Sequence, residues 1–170
     1  TYSGATTLNA GTLALTSTGT LGNTTTLLTI NSATLDLQGK ALTVGSLSMT
    51  GTSPAVTNTT GTSSLVVSGT STLAGSITTS GLQTYTGAVT LGAATTLSST
   101  SGGNILFSST VSGAYTLATT TTGNTTFTGA VGGTALLKGS GAAWSAITSS
   151  TTLRNLNGIT CHAGVLTAVG

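Results

Sequence analysis

Apolar residues recur two apart in short bursts along the chain, as in Val89-Thr90-Leu91, Ile105-Leu106-Phe107 and Tyr115-Thr116-Leu117. A period of two puts alternate side chains on one face of a β-strand, so each burst predicts a strand of about four to six residues. Gly, Ser-Gly or Gly-Asn separates the bursts, and these residues accept the positive φ of tight corners. The chain therefore reads as short strands joined by corners.

The bursts also recur in phase. Aligned on an aromatic residue, "GLQTYTGAV" from Gly81, "GNILFSSTV" from Gly103 and "GNTTFTGAV" from Gly123 superimpose without gaps, and "TYSGAT" opens the chain with a related phrase. Tyr85, Phe107 and Phe127 are then separated by 22 and 20 residues, as are Val89, Val111 and Val131, while Leu97, Leu117 and Leu137 follow at steps of 20. A unit of this size cannot bury its own apolar face and must stack on the next. Like residues then lie above one another in columns, which a sandwich of hairpins does not need. The prediction is an all-β fold, a parallel β-helix (β-solenoid) with about 20–22 residues per coil and these nine residues as its core stack. With roughly 4.8 Å between paired strands, about eight coils make a rod on the order of 35 to 40 Å long.

One β-solenoid domain is expected over residues 1–170. Residues 1–80 form its less regular coils, where Leu13 and Leu35 stand 22 apart but no aromatic column runs. A loop is expected at 51–64 around Pro54, because proline cannot donate to a ladder. Residues 81–147 are the regular coils, and 148–170 a terminal coil or tail. Trp144 falls outside the aromatic column and is a candidate to cover the end of the stack or to contact a neighbour.

Composition narrows the function. Only 2% of residues are charged: Asp36 is the sole carboxylate side chain, and Lys40, Lys138 and Arg154 are the only permanent cations. Three scattered cations are no patch for phosphates, so nucleic acid is not an expected partner despite a pI of about 9.0. Threonine is roughly a quarter of the chain and favours extended backbone. No stretch approaches the roughly 20 apolar residues of a membrane-spanning helix. With no initiator Met and no charged-then-apolar leader, the chain is expected to be a mature product or a segment of a longer one.

The chemistry-bearing residues are few. Glycoside cleavage divides acid and base roles between two carboxylates, and only Asp36 is present. A Ser-His-Asp set would have to join His162 to Asp36 across about six coils. Cys161 and His162 are adjacent, so on a strand they face opposite ways, and together they are too few for zinc. The single cysteine excludes an internal disulfide and reads as a small buried hydrophobe or a contact residue. No catalytic residue, cofactor or metal is expected. Asp36 and Lys40 are expected to pair across the corner at Gly39 as an exposed contact worth little. The "NTT" triplets at Asn23, Asn58 and Asn124 fit the glycosylation pattern, as chance allows in so Asn- and Thr-rich a chain.

"TYSGATTLNAGTLALTSTGTL" followed by "ATLDLQGKALTVGSLS" resembles the β-strand repeat of bacterial autotransporter passengers, and "TYTGAVTL" is similar to repeats of haemagglutinin-like exoproteins. The resemblance runs through about residue 140. It implies a right-handed β-helix, secretion to the surface of a Gram-negative cell, and service as a stalk or adhesin, with a host receptor or glycan as partner. The stackable repeat and the missing catalytic set point the same way, to a non-catalytic structural protein. That protein is an extracellular stalk, an adhesin segment or a self-assembling fibre subunit, associating head to tail or continuing a longer passenger. Two other readings stand beside it. An ice-binding protein would present threonine rows, as in "TYT" at 84–86 and "TFT" at 126–128, with "LFS" at 106–108 interrupting them. A carbohydrate-binding module would need its aromatics exposed.

Overall fold

The computed structural model describes residues 3–16, 21 and 24–132 with their side chains, and residues 135–140, 143–148, 158–162 and 165–169 by their backbone. It is all-β. The first coil holds β1 (Thr6–Leu8) and β2 (Gly11–Ala14); the second β3 (Leu27–Asn31), β4 (Ala33–Asp36) and β5 (Ala41–Val44); the third β6 (Ser46–Thr50), β7 (Ala55–Thr57) and β8 (Ser64–Val67). The fourth holds β9 (Ser71–Thr79) and β10 (Gln83–Tyr85), the fifth β11 (Val89–Ser99) and β12 (Ile105–Phe107), and the sixth β13 (Val111–Ser112), β14 (Leu117–Thr121) and β15 (Thr125–Phe127).

Strands pair in parallel with the coil above and below, which makes the chain a β-solenoid of about six turns. Three ladders result. The first runs β1-β3-β6-β9-β11-β13, the second β2-β4-β7-β9-β11-β14 and the third β5-β8-β10-β12-β15; β9 and β11 are long enough to serve two ladders each. Leu65 pairs with Gln83 and Leu47 with Ser71, so the advance per coil varies from 18 to 24 residues around the expected length. The less regular first half stacks in the same ladders as the second.

The aromatic column is a physical stack. Tyr85 and Phe107 lie 5.1 Å apart between ring centroids and Phe107 and Phe127 4.7 Å apart, with nearly parallel planes. That spacing is the strand repeat itself, so in-register pairing delivers ring over ring. Val89, Val111 and Val131 also stand in register. The third expected column is displaced. Thr95 pairs with Leu117 and Leu97 with Thr119, so the two leucines share a face but sit two residues out of line. The fifth and sixth coils are 22 residues apart here, not 20, because "SGAYT" at 112–116 is as long as "TLGAA" at 90–94 and carries the offset of the Val89–Val111 pair through the bend. Both leucines are buried all the same. Leu137 lies on β16 (Ala135–Ser140), and its side chain is outside the described residues.

The parallel stack ends sooner than the sequence spacing predicted. After a last parallel bridge from Val111 to Val131, β16 and β17 (Ala143–Thr148) form an antiparallel hairpin, and β17 pairs antiparallel with β14. A second antiparallel pair joins β18 (Gly158–His162) and β19 (Val165–Val169). Among the described residues about six coils stack in parallel, against the expected eight, and at about 4.8 Å per coil the stack is on the order of 30 Å long. Within the expected loop at 51–64, Gly51, Thr52 and Ser53 are exposed, but Pro54 is buried and β7 follows it directly. The Pro54 carbonyl accepts Ser76 N–H at 3.2 Å, so proline is used where only its acceptor is needed.

Gly39, Gly51, Gly61, Gly102 and Gly113 take the positive φ expected of tight corners, but other corner glycines answer a different need. Those in the repeated phrases, Gly81, Gly87, Gly103, Gly123 and Gly129, do not have positive φ. A Cβ at Gly87 would stand 2.4 Å from the Gly69 backbone, and one at Gly103 2.2 Å from that of Gly81. Stacking at one strand repeat brings corner backbones so close that no side chain fits between coils. Inside the next bend, Thr79, Ser99 and Thr121 are buried in register, and their hydroxyls donate to the carbonyls of Gly81, Gly81 and Gly103 at 2.7, 2.9 and 2.8 Å. Gln83, fully buried, donates through Nε2 to Ser98 O at 2.9 Å and accepts from Tyr85 Oη at 3.0 Å. Burial raises the Tyr85 phenol far above its usual pKa, so it stays a neutral donor.

Two stability outcomes follow from this packing. Gly103→Ala should destabilise the chain by about 1–3 kcal/mol or more in urea unfolding, whereas Gly132→Ala, where a Cβ meets nothing within 4 Å, should be near neutral. Ser71 sits in the core column between Leu47 and Val89, and its buried Oγ has no hydrogen-bond partner. Ser71→Ala should raise stability by about 1 kcal/mol; an unchanged or lower midpoint would show that the hydroxyl is satisfied.

Candidate functional site

Asp36 ends β4 and is 6% exposed, deeper than the exposed corner contact expected of it. The next residues turn sharply: Lys40 N–H donates to Leu37 O at 2.9 Å, with Gln38 at φ +48° and Gly39 at φ +74°. Positive φ at both central positions is the I′ geometry, comfortable for glycine and strained for Gln38. The carboxylate holds the turn. Its Oδ1 accepts Gln38 N–H at 3.2 Å and Thr59 N–H at 3.1 Å, and its Oδ2 accepts Gln38 Nε2 and, at 2.7 Å, Thr59 Oγ1. Asn58 bridges the same two corners, accepting Gly39 N–H at 2.7 Å and donating to Gly61 O at 2.9 Å. This amide is consumed by structure, unlike a glycan acceptor; Asn23 lies outside the described residues.

Asp36 is therefore a clamp between the second and third coils. Burial by itself raises its pKa, but hydrogen bonds from Thr59 and Gln38 outweigh that and hold it below the ordinary carboxylate value. Among the described residues no group of three His, Cys, Asp or Glu could hold a metal ion. Cys161 and His162 are neighbours on β18, and Trp144 stands on β17 in register with Thr119. The side chains of these three residues lie outside the described residues.

What the solenoid presents outward is a set of neutral rows. On the first ladder Thr7, Thr29, Ser48, Thr72, Thr90 and Ser112 stand in register, one hydroxyl per coil. Sequence alignment on the aromatics missed this row because its members lie on the ladder that carries no aromatic; the signal was a hydroxyl one position after Leu28, Leu47, Val89 and Val111, with Thr6 and Ser71 in the corresponding places of the other two coils. On the third ladder the outward row reads Thr43, Val66, Thr84, Leu106, Thr126, so aliphatic residues interrupt the threonines. Tyr85 and Phe107 point inward and are fully buried, and Phe127 is partly buried, so this stack is no exposed aromatic track.

Because Asp36 is the only carboxylate side chain, acid sensitivity should trace to one residue. Its folded pKa is depressed, so the unfolded chain binds the proton more readily and stability rises with pH. The contribution is fully present above the ordinary carboxylate range and lost as pH falls through the folded value. The melting temperature should therefore drop on acidification below about pH 4, and Asp36→Asn should be less stable at neutral pH but nearly flat across the same range. Equal acid slopes for both proteins would contradict the clamp.

No protein-family model, curated protein or solved structure matches the chain, so its function is read from its own geometry.

Proposed function

We propose that the chain is a non-catalytic structural protein, a stalk or adhesin segment on the outside of a bacterial cell, built to span distance by stacking coils. The observation that carries this reading is the parallel pairing of each described coil with the next around one core. In such a stack each coil contacts only its neighbours, so length is set by coil number and any coil can be spared. The sequence resemblance to autotransporter and haemagglutinin-like repeats supports the same use, and the single carboxylate side chain, used in a turn, supports a role without acid–base chemistry.

The antiparallel cover of β14 favours a stalk segment over a self-propagating fibre. At one end β17 covers the β14 edge antiparallel, the orientation that a further parallel coil could not share. Head-to-tail growth would have to displace β17.

Residues 89–110 make up one complete turn, since Ser71, Val89 and Val111 are mutually in register. Deleting that turn from the full chain should leave a cooperatively unfolding β-protein shortened by about 4.8 Å, and duplicating it should lengthen the rod equally, both read by X-ray scattering. Loss of folding in both variants would sink the modular reading. In sedimentation across a concentration series the full chain should stay monodisperse; long filaments would make it a fibre subunit instead.

A further inference from the structure

The outer surface of the third ladder carries an open groove outside the core, beside the corner at Gly103. Its volume is about 560 Å³, and Leu82, Thr84, Asn104, Leu106 and Thr126 line it beside the corner at Gly102 and Gly103. That size falls among small-molecule sites, roughly 300–1,000 Å³. Thr84, Leu106 and Thr126 are successive Cα partners on β10, β12 and β15, so they form a row along the solenoid axis at steps of about 4.8 Å.

The lining alternates apolar and hydrogen-bonding groups. Leu82 is 44% exposed and Leu106 is half-buried. Between and beside them, the hydroxyls of Thr84 and Thr126 have no partner among the described residues. Asn104 Oδ1 accepts Asn124 N–H at 3.0 Å, which leaves its Nδ2 as a donor. No charged residue lines the groove.

We propose that this groove binds a neutral oligosaccharide lying along the solenoid axis. A sugar ring presents a C–H face and a rim of hydroxyls that both donate and accept; Leu82 and Leu106 match the face, and Thr84, Thr126 and Asn104 match the rim. A charged ligand would lose hydration with no counter-charge to replace it. An extended peptide would need an open strand edge along the groove, but β10 and β12, which carry Thr84 and Leu106, are paired on both sides; of the strands lining the groove only β15, where the ladder ends among the described residues, has an unpaired edge. The site owes nothing to an exposed aromatic. It is shallow, which places its affinity in the millimolar range, about 1 mM.

The test is NMR of the full chain titrated with maltohexaose and cellohexaose up to about 10 mM, with a heparin hexasaccharide as the charged control. Saturable shifts confined to Leu82, Thr84, Asn104, Leu106 and Thr126, with at least one neutral sugar, are expected. Thr84→Val and Thr126→Val keep strand-compatible side chains of the same shape, and each should weaken binding roughly fivefold to tenfold by removing one hydrogen bond. Ser68→Ala, on the same face outside the groove, should change nothing. Absent shifts, shifts scattered over all three ladders, an equal response to heparin hexasaccharide, or unaltered binding by both valine variants would overturn the proposal. Scattering lengths of the coil-deletion and coil-duplication proteins read the stalk reading separately, so either can fail without the other.

Discussion

Parallel backbone pairing between successive coils, one strand repeat apart, is the constraint on which everything else in this molecule depends. It stacks the rings of Tyr85, Phe107 and Phe127 at 5.1 and 4.7 Å without any separate instruction. It also brings corner backbones together, so that Gly87 and Gly103 occupy positions where even a methyl group would collide with the coil below. The repeated phrase with its fixed aromatic, flanking threonines and glycine is thus a record of one geometric period. The aromatic fills the interior, the threonines face out, and the glycine lets the chain turn against its neighbour.

A chain with so few charges must satisfy its polar groups internally. Each bend removes backbone carbonyls from the ladders, and the buried hydroxyls of Thr79, Ser99 and Thr121 return hydrogen bonds to them. Gln83 does the same across the interior while orienting the Tyr85 hydroxyl. Asp36 is the most demanding case, since a buried carboxylate is costly unless its acceptor positions are filled. Four donors from Gln38 and Thr59 fill them, and in doing so they hold a non-glycine residue at positive φ. Chemistry that resembles an active-site fragment in the sequence is spent on joining two coils.

The outside follows from the same repeat. In-register stacking turns any residue preference at an outward position into a row, hydroxyl on the first ladder and mixed hydroxyl and aliphatic on the third. Rows without charge suit a spacer that must not attract unrelated partners, and where Leu82, Leu106 and two threonines meet they also shape a groove. The antiparallel β16–β17 hairpin closes one end of the second ladder, so the rod has a direction.

Period-two apolar bursts and their recurrence every 20 or so residues were sufficient in the sequence to establish strands, coils and an internal aromatic column, because all three depend on local alternation and on one repeat length. The positive φ of corner glycines such as Gly102 and Gly113 was legible, but the close-packing role of Gly87 and Gly103 was not, since approach between coils involves residues some 20 positions apart while the φ preference is local. Nor was the two-residue displacement of Leu117 from Leu97, which depends on how many residues each bend absorbs. The burial of Asp36 was hidden for the same reason: its partner Thr59 lies on the next coil, and only pairing of the coils brings it within reach. Local periodicity decided what each residue does within its own strand, and stacking decided what meets it from the strand above.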